Sequence, residues 1–164
     1  MTAGARTLIL LRHGKSGYPA GVPDHDRPLA DRGRREAALA GEWLERDGLQ
    51  VDAVICSTAE RTRQTLQRTG IDAPTEFTED IYENSPEDIL EAIRTYAPAD
   101  AAVLLVVGHF PGLPGTALTL DGDADIDRFP TSAYAVLSIG VPWDRLGLDV
   151  DPAARLTSLQ IPRA

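Results

Sequence analysis

Along the chain, short apolar runs that stop at glycine or polar turns alternate with stretches whose apolar residues recur at helical spacing. Leu8, Ile9, Leu10 and Leu11 form such a run, halted by Arg12, His13 and Gly14. A short run ending at a glycine turn predicts a strand buried on both faces. After a Pro-, Gly- and Asp-rich loop over 17–28, a helix is predicted over 31–48 with Asp31 as N-cap. Ala37, Ala40, Gly41 and Leu44 share one face of it, small enough to pack closely on a sheet. A second strand is predicted over 51–56, and a helix over 59–69 that closes at Gly70. A short strand over 75–77 leads to Ser85, Pro86 and Asp88. These are an N-cap, a proline at the first helical position and an acid at the third, before the apolar stripe Ile89, Ile93 and Tyr96.

The run 101–107 predicts a second fully buried strand, ending at Gly108-His109-Phe110-Pro111-Gly112. The acidic connector 121–127 reads as a solvated turn, because its glycine and glutamate are not where a calcium loop needs them. Strands are expected over 133–139 and 156–161, the last antiparallel or at an edge before Pro162. Alternating strands and helices predict an α/β fold with three layers, α/β/α, around a mainly parallel central sheet.

With 164 residues, 43% hydrophobic and 25% charged, the chain is expected to form a single domain over 1–164. A net charge of −9 argues against nucleic acid as a partner, so any anion site must be a local basic pocket. Cys56 is the only cysteine, which rules out an internal disulfide and fits a reducing compartment. No apolar run reaches membrane-spanning length, and residues 1–6 carry no apolar signal region. A cytoplasmic location without a membrane partner is therefore expected.

The candidate chemistry sits at strand ends. Open α/β sheets place their ligand crevice at the carboxyl ends of the strands, where Arg12 and His13 fall. A guanidinium beside an imidazole suits binding and attack on a phosphoryl group. Arg61, in the first turn after the second strand, reads alone as one more solvated helix charge. Beside an anion site it would reinforce the positive end of the helix. His109 alone reads as a satisfied loop residue, but it mirrors His13: two buried strands each end at a histidine beside glycine. His25, flanked by Asp24 and Asp26, reads as a surface or loop residue. A zinc site using His13, His25, His109 and Cys56 lacks the usual ligand-pair spacing.

Taken in order, five segments resemble the histidine phosphatase superfamily, the phosphoglycerate-mutase-like fold, and most of all its short SixA-like phosphohistidine phosphatases. They are Leu11-Arg12-His13-Gly14-Lys15-Ser16, Asp26-Arg27-Pro28-Leu29, Arg61-Thr62-Arg63-Gln64-Thr65, Val107-Gly108-His109-Phe110-Pro111-Gly112-Leu113 and Pro130-Thr131-Ser132-Ala133. The segment between Phe77 and Ser85 has no room for the long insertion of larger members. Cys56-Ser57-Thr58 stands where Ser-Ser-Pro is common, and Phe110 where asparagine is frequent.

The resemblance implies a metal-independent phosphatase without cofactor, acting on a phosphorylated protein or a small phosphorylated substrate. It implies His13 as nucleophile and Arg12, Arg61 and His109 as phosphoryl contacts. Lys15 either adds positive potential to the phosphate site or is a solvated loop lysine. No residue matches the acid motif of the mutases. Glu83 is the nearest positional candidate for a general acid, with Asp80, Glu79 or water as alternatives. The side chains suit these roles: a neutral imidazole is a nucleophile at neutral pH, and phosphoryl transfer needs charge neutralised at the equatorial oxygens. Two other readings remain open at this point, a phosphomonoesterase for small metabolites and a phosphate-binding regulatory module without turnover.

Overall fold

In the computed structural model, which describes residues 5–83 and 85–163, the first apolar run is the hydrophobic centre of the molecule. It lies in strand β1 (Arg6–Arg12), whose Leu8, Ile9, Leu10 and Leu11 are all fully buried. Residues 1–4, part of the stretch read as lacking a signal region, lie outside the described residues. The chain continues through α1 (Asp31–Arg46), β2 (Ala53–Ser57), α2 (Glu60–Thr69), β3 (Thr75–Thr78), α3 (Pro86–Tyr96), β4 (Val103–Gly108), α4 (Gly112–Leu120), β5 (Tyr134–Ile139) and β6 (Arg155–Gln160).

Among the described residues the strands form one six-stranded sheet in the order β3-β2-β4-β1-β5-β6. β3, β2, β4 and β1 are mutually parallel, while β5 and then β6 add on antiparallel, β6 at the edge. This is the expected three-layer α/β/α architecture. Alternation along β1 divides the core in two. Leu8 and Leu10 join Ile89 and Ile93 of α3 and Leu113 and Ala117 of α4 on one face. Ile9 and Leu11 join Ala40 and Leu44 of α1 and Leu66 of α2 on the other.

Most boundaries agree with the sequence to within two residues, and two differences have clear causes. Asp31 is the first residue of α1 rather than its cap, because Ala30 holds the extended cap geometry. Gly70 ends α2 at φ +74°, and Ser85 with Asp88 closes a reciprocal capping box on α3, both as expected. Helix α4 is not foreseen by its sequence, which carries Gly112, Pro114 and Gly115. It forms because Pro114 lies in the first turn, where its missing N–H costs nothing, and because Leu113 and Ala117 bury one turn apart.

Glycines bring the elements close. A Cβ on Gly33, in the first turn of α1, would stand 2.1 Å from the Lys15 carbonyl oxygen. One on Gly14 would stand 2.7 Å from the Gly33 carbonyl oxygen. The loop that follows β1 is thus pressed directly against the start of α1.

Candidate active site

β1 and β4 are parallel neighbours with Arg12 opposite Gly108. The next residues, His13 and His109, therefore leave adjacent strands at the same end, and their ring centroids lie 5.3 Å apart. The mirror relation seen in the sequence is thus a spatial one. Both rings line a small cavity of about 200 Å³, with Arg12, Lys15, Arg61 and Glu83 also on its wall. Of the sequence-predicted site residues, the nucleophile His13, the phosphoryl contacts Arg12, Arg61 and His109, and Lys15 and Glu83 are brought to this one place.

The His13 ring is buried, and its Nδ1 lies 2.7 Å from the Gly14 carbonyl oxygen. A carbonyl only accepts, so Nδ1 carries the proton and Nε2 keeps a lone pair. Burial pushes the His13 pKa down to about 4, with Arg61, Arg12 and Arg27 acting in the same direction against the Gly14 bond. His109 is likewise pushed down to about 3, first by burial and then by His13 and Arg61. Its Nε2 lies 2.8 Å from Ser57 Oγ, at the end of β2, while its Nδ1 is buried without a hydrogen-bond partner among the described residues.

Arg61 overturns the solvated-charge reading: it is 1% exposed. Its Nη1 donates to the Asp24 carbonyl oxygen at 2.8 Å. Its Nη2 donates to Asp24 Oδ2 at 3.1 Å and to Glu83 Oε1 at 2.8 Å. The Asp24 carboxylate also accepts from Arg27 Nε and, through a short bond, from the Tyr82 hydroxyl. The Tyr82 bond first, and then Arg27 and Arg61, hold Asp24 well below the ordinary carboxylate range. Thr65 ties the two halves together, accepting from the Gly14 N–H and donating to the Arg61 carbonyl.

Arg12 donates to the Phe129 carbonyl oxygen at 2.9 Å, and its guanidinium stacks on Phe110. Lys15 is exposed at the rim, and Glu83 is half-exposed at φ +53°. Asp80 bonds Tyr96, and Asp80 and Glu79 sit on a short 3-10 turn outside the cavity wall. His25, read as a loop residue, has Nε2 2.8 Å from Thr58 Oγ1 and packs edge-on against Tyr82.

Sequence reasoning passes over Asp24, Tyr82 and Ser57. Ser57 could have been found from its place at a strand's carboxyl end. Asp24 and Tyr82 reach Arg61 and each other across 37 and 58 residues, and no local pattern announces that. Arg27, in the Asp26-Arg27-Pro28-Leu29 segment, lines the cavity and donates to Ser16 Oγ at 2.6 Å. Cys56 Sγ donates to the Ser57 carbonyl, inside the sheet packing. Among the described residues, no group of three or more His, Cys, Asp or Glu side chains is placed to hold a metal ion.

Two histidines and several cations converging at adjoining strand ends of this sheet form a pocket suited to a phosphoryl group. The sequence profile of the histidine phosphatase superfamily (branch 1) matches residues 8–99. An uncharacterized protein of Mycobacterium tuberculosis is 45% identical over 163 residues, covering 93% of this chain and 100% of that one. The phosphohistidine phosphatase SixA of Escherichia coli is 27% identical over 138 residues, 80% of this chain and 84% of that one. A solved structure assigned as phosphohistidine phosphatase SixA from Nakamurella multipartitia is 41% identical, superposes with a TM-score of 0.89 and covers 100% of both chains. The chain belongs to the histidine phosphatase superfamily, in its SixA-like branch. Among the described residues no helix is long and apolar enough to cross a membrane.

Proposed function

We propose that this phosphatase hydrolyses phosphohistidine through a covalent intermediate on His13, as a single histidine phosphatase domain acting in the cytoplasm. One observation carries the reading: the Nδ1 contact to the Gly14 carbonyl leaves the Nε2 lone pair of a neutral ring to attack phosphorus. In the first step a bond forms from His13 Nε2 to phosphorus and the bond to the leaving group breaks. In the second, water attacks the phosphohistidine, inorganic phosphate leaves and His13 returns to its neutral state.

Arg12 and Arg61 neutralise the equatorial oxygens, with His109 Nδ1 as a further donor and Lys15 adding positive potential at the rim. These cations supply the charge neutralisation, so the mechanism is metal-independent. A Ser57 hydroxyl that accepts from the Ala59 N–H and donates to His109 Nε2 would leave Nδ1 protonated for the phosphoryl group.

The size of the cavity supports a phosphorylated side chain over a bulky metabolite. At about 200 Å³ it is below the roughly 300–1,000 Å³ of pockets that enclose drug-sized ligands. It suits one phosphoryl group and a small ring, with the rest of the substrate outside. A second reading, a phosphomonoesterase for small metabolites, draws on Glu83. That carboxylate lines the cavity and could protonate an alkoxide leaving group.

A competition between phosphohistidine peptides and metabolite phosphates, read as kcat/KM with the purified protein, tests the proposal. A clear preference for phosphohistidine is expected. A preference for metabolite esters would establish the second reading, and binding without turnover of either would make the protein a phosphate-sensing module.

A further inference from the structure

Two large aromatic side chains stand exposed at the mouth of the cavity, Tyr18 at 78% and Phe110 at 50%. The phosphoryl chemistry described above uses neither. Each rests on a guanidinium that is itself fixed. Arg27 lies 4.2 Å from the Tyr18 ring centroid and is held by Ser16, Gly17 and Asp24. Arg12 lies 5.0 Å from the Phe110 centroid and is held by the Phe129 carbonyl. Similar stacks occur elsewhere, Arg63 on Phe77 and Arg46 on Trp43, but those rings do not line this cavity.

Leaving such rings in water forgoes burial, and a cation on one side keeps each ring in place with the remainder open. We infer that Tyr18 and Phe110 form an aromatic clamp for the leaving group, selecting phosphoryl groups carried on a planar π-system over those carried on an alkyl oxygen. The inference rests on the phosphatase reading above and names its specificity-determining residues. An imidazole or phenol ring bonded to phosphorus would lie between or against these rings while the phosphoryl oxygens meet Arg12, Arg61 and His109. An alkyl group of the same size offers no π-face and gains only contact area.

The test compares phosphohistidine, phosphotyrosine and phosphoserine peptides of one flanking sequence on the full chain and on Tyr18→Leu and Phe110→Leu. Leucine keeps bulk and removes the π-face, and both sites are exposed enough for the fold to persist. Each variant is expected to lose roughly 3–10-fold in kcat/KM for the two aromatic phosphates relative to phosphoserine, mostly through KM. Tyr18→Phe and Phe110→Tyr should restore the preference. Calorimetric Kd values for phenylphosphonate and methylphosphonate supply a readout that needs no turnover, and the preference for phenylphosphonate should shrink in both leucine variants. An unchanged aromatic-to-alkyl ratio in both measurements would overturn the clamp. So would a parallel loss on all three peptides, which would mean the rings only position Arg12 and Arg27. Absence of turnover by the wild type, with the phosphonate preference intact, would reject the catalytic reading and leave the clamp standing.

Discussion

His13 Nδ1 lies 2.7 Å from the Gly14 carbonyl oxygen, so the backbone of the glycine turn decides which nitrogen of the ring holds the proton. The same turn is pinned from behind by Gly33 and from the side by Thr65, so the ring is oriented by backbone rather than by another titrating group. The pH dependence follows from this.

Activity is expected to persist well below the ordinary histidine pKa. Burial pushes His13 down to about 4, so the free nucleophile stays neutral through pH 5 and is lost near pH 4. A pH profile of kcat/KM, corrected for ionisation of the substrate, checks this. An acid limb between pH 6 and 7 would show that the ring is not desolvated as described.

The two histidines also set the pH dependence of stability. Their folded pKa values, about 4 and about 3, lie below the unfolded value near 6.5. Below pH 6.5 the unfolded chain therefore binds more protons than the native one, and stability falls as pH falls. Each histidine contributes a slope of about 1.4 kcal/mol per pH unit down to its folded pKa, and neither contributes above about pH 6.5. Urea midpoints should be flat from pH 8 to 7 and drop from 6.5 to 4.5. The double variant His13→Ala/His109→Ala should lose most of that slope.

Arg61 needs a planar fork: it bonds the Asp24 carbonyl, the Asp24 carboxylate and Glu83 while facing the cavity. Arg61→Lys offers a point charge and is expected to lower kcat/KM by about 10²-fold or more. Asp24→Asn leaves the fork in place with a weaker acceptor and should cost roughly 10-fold, the scale of one charge-assisted hydrogen bond. Equal rates for Asp24→Asn and wild type would show that Asp24 does not position the guanidinium.

How much of this was legible in the sequence varies element by element. Leu8 to Leu11 announce a strand buried on both faces because no polar residue interrupts them, and Ser85-Pro86 announces a helix start through local hydrogen bonding. The pairing of His13 with His109 follows from two buried strands that end alike. Helix α4 was hidden because Gly115 lowers its propensity for a packing reason: a Cβ there would stand 2.7 Å from Pro86 Cγ. The burial of Arg61 was hidden for the same kind of reason, since its partners come from a distant loop and a 3-10 turn.

Gly33→Ala separates propensity from packing. Inside a helix the change should stabilise by about 0.5–1 kcal/mol. Here the new Cβ meets the Lys15 carbonyl at 2.1 Å, a backbone atom that cannot rotate away. The clash wins, with a net loss of roughly 1–3 kcal/mol in urea unfolding and a fall in kcat from displacement of the 13–15 loop. A stabilised variant with full activity would contradict the close approach.

Glu83 has two roles to choose between, proton donor or Arg61 partner. As a donor, Glu83→Gln should slow alkyl phosphates about 10²–10⁴-fold and aryl phosphates little, because a nitrophenolate leaves without a proton. As an Arg61 partner alone, it should affect both alike. The Arg61 contact at 2.8 Å makes the second pattern the expected one; a loss confined to alkyl phosphates would make Glu83 the donor and favour the metabolite reading.

The central claim is a covalent phosphoryl group on His13, and acid-quenching avoidance makes it directly measurable. Protein stopped in alkali during turnover of a radiolabelled phosphate should carry label that survives base and is lost in acid, as a phosphoramidate does. Peptide mapping should place it on His13, and His13→Ala should show neither label nor turnover. Label that is stable to acid, or that persists undiminished in His13→Ala, would contradict the account.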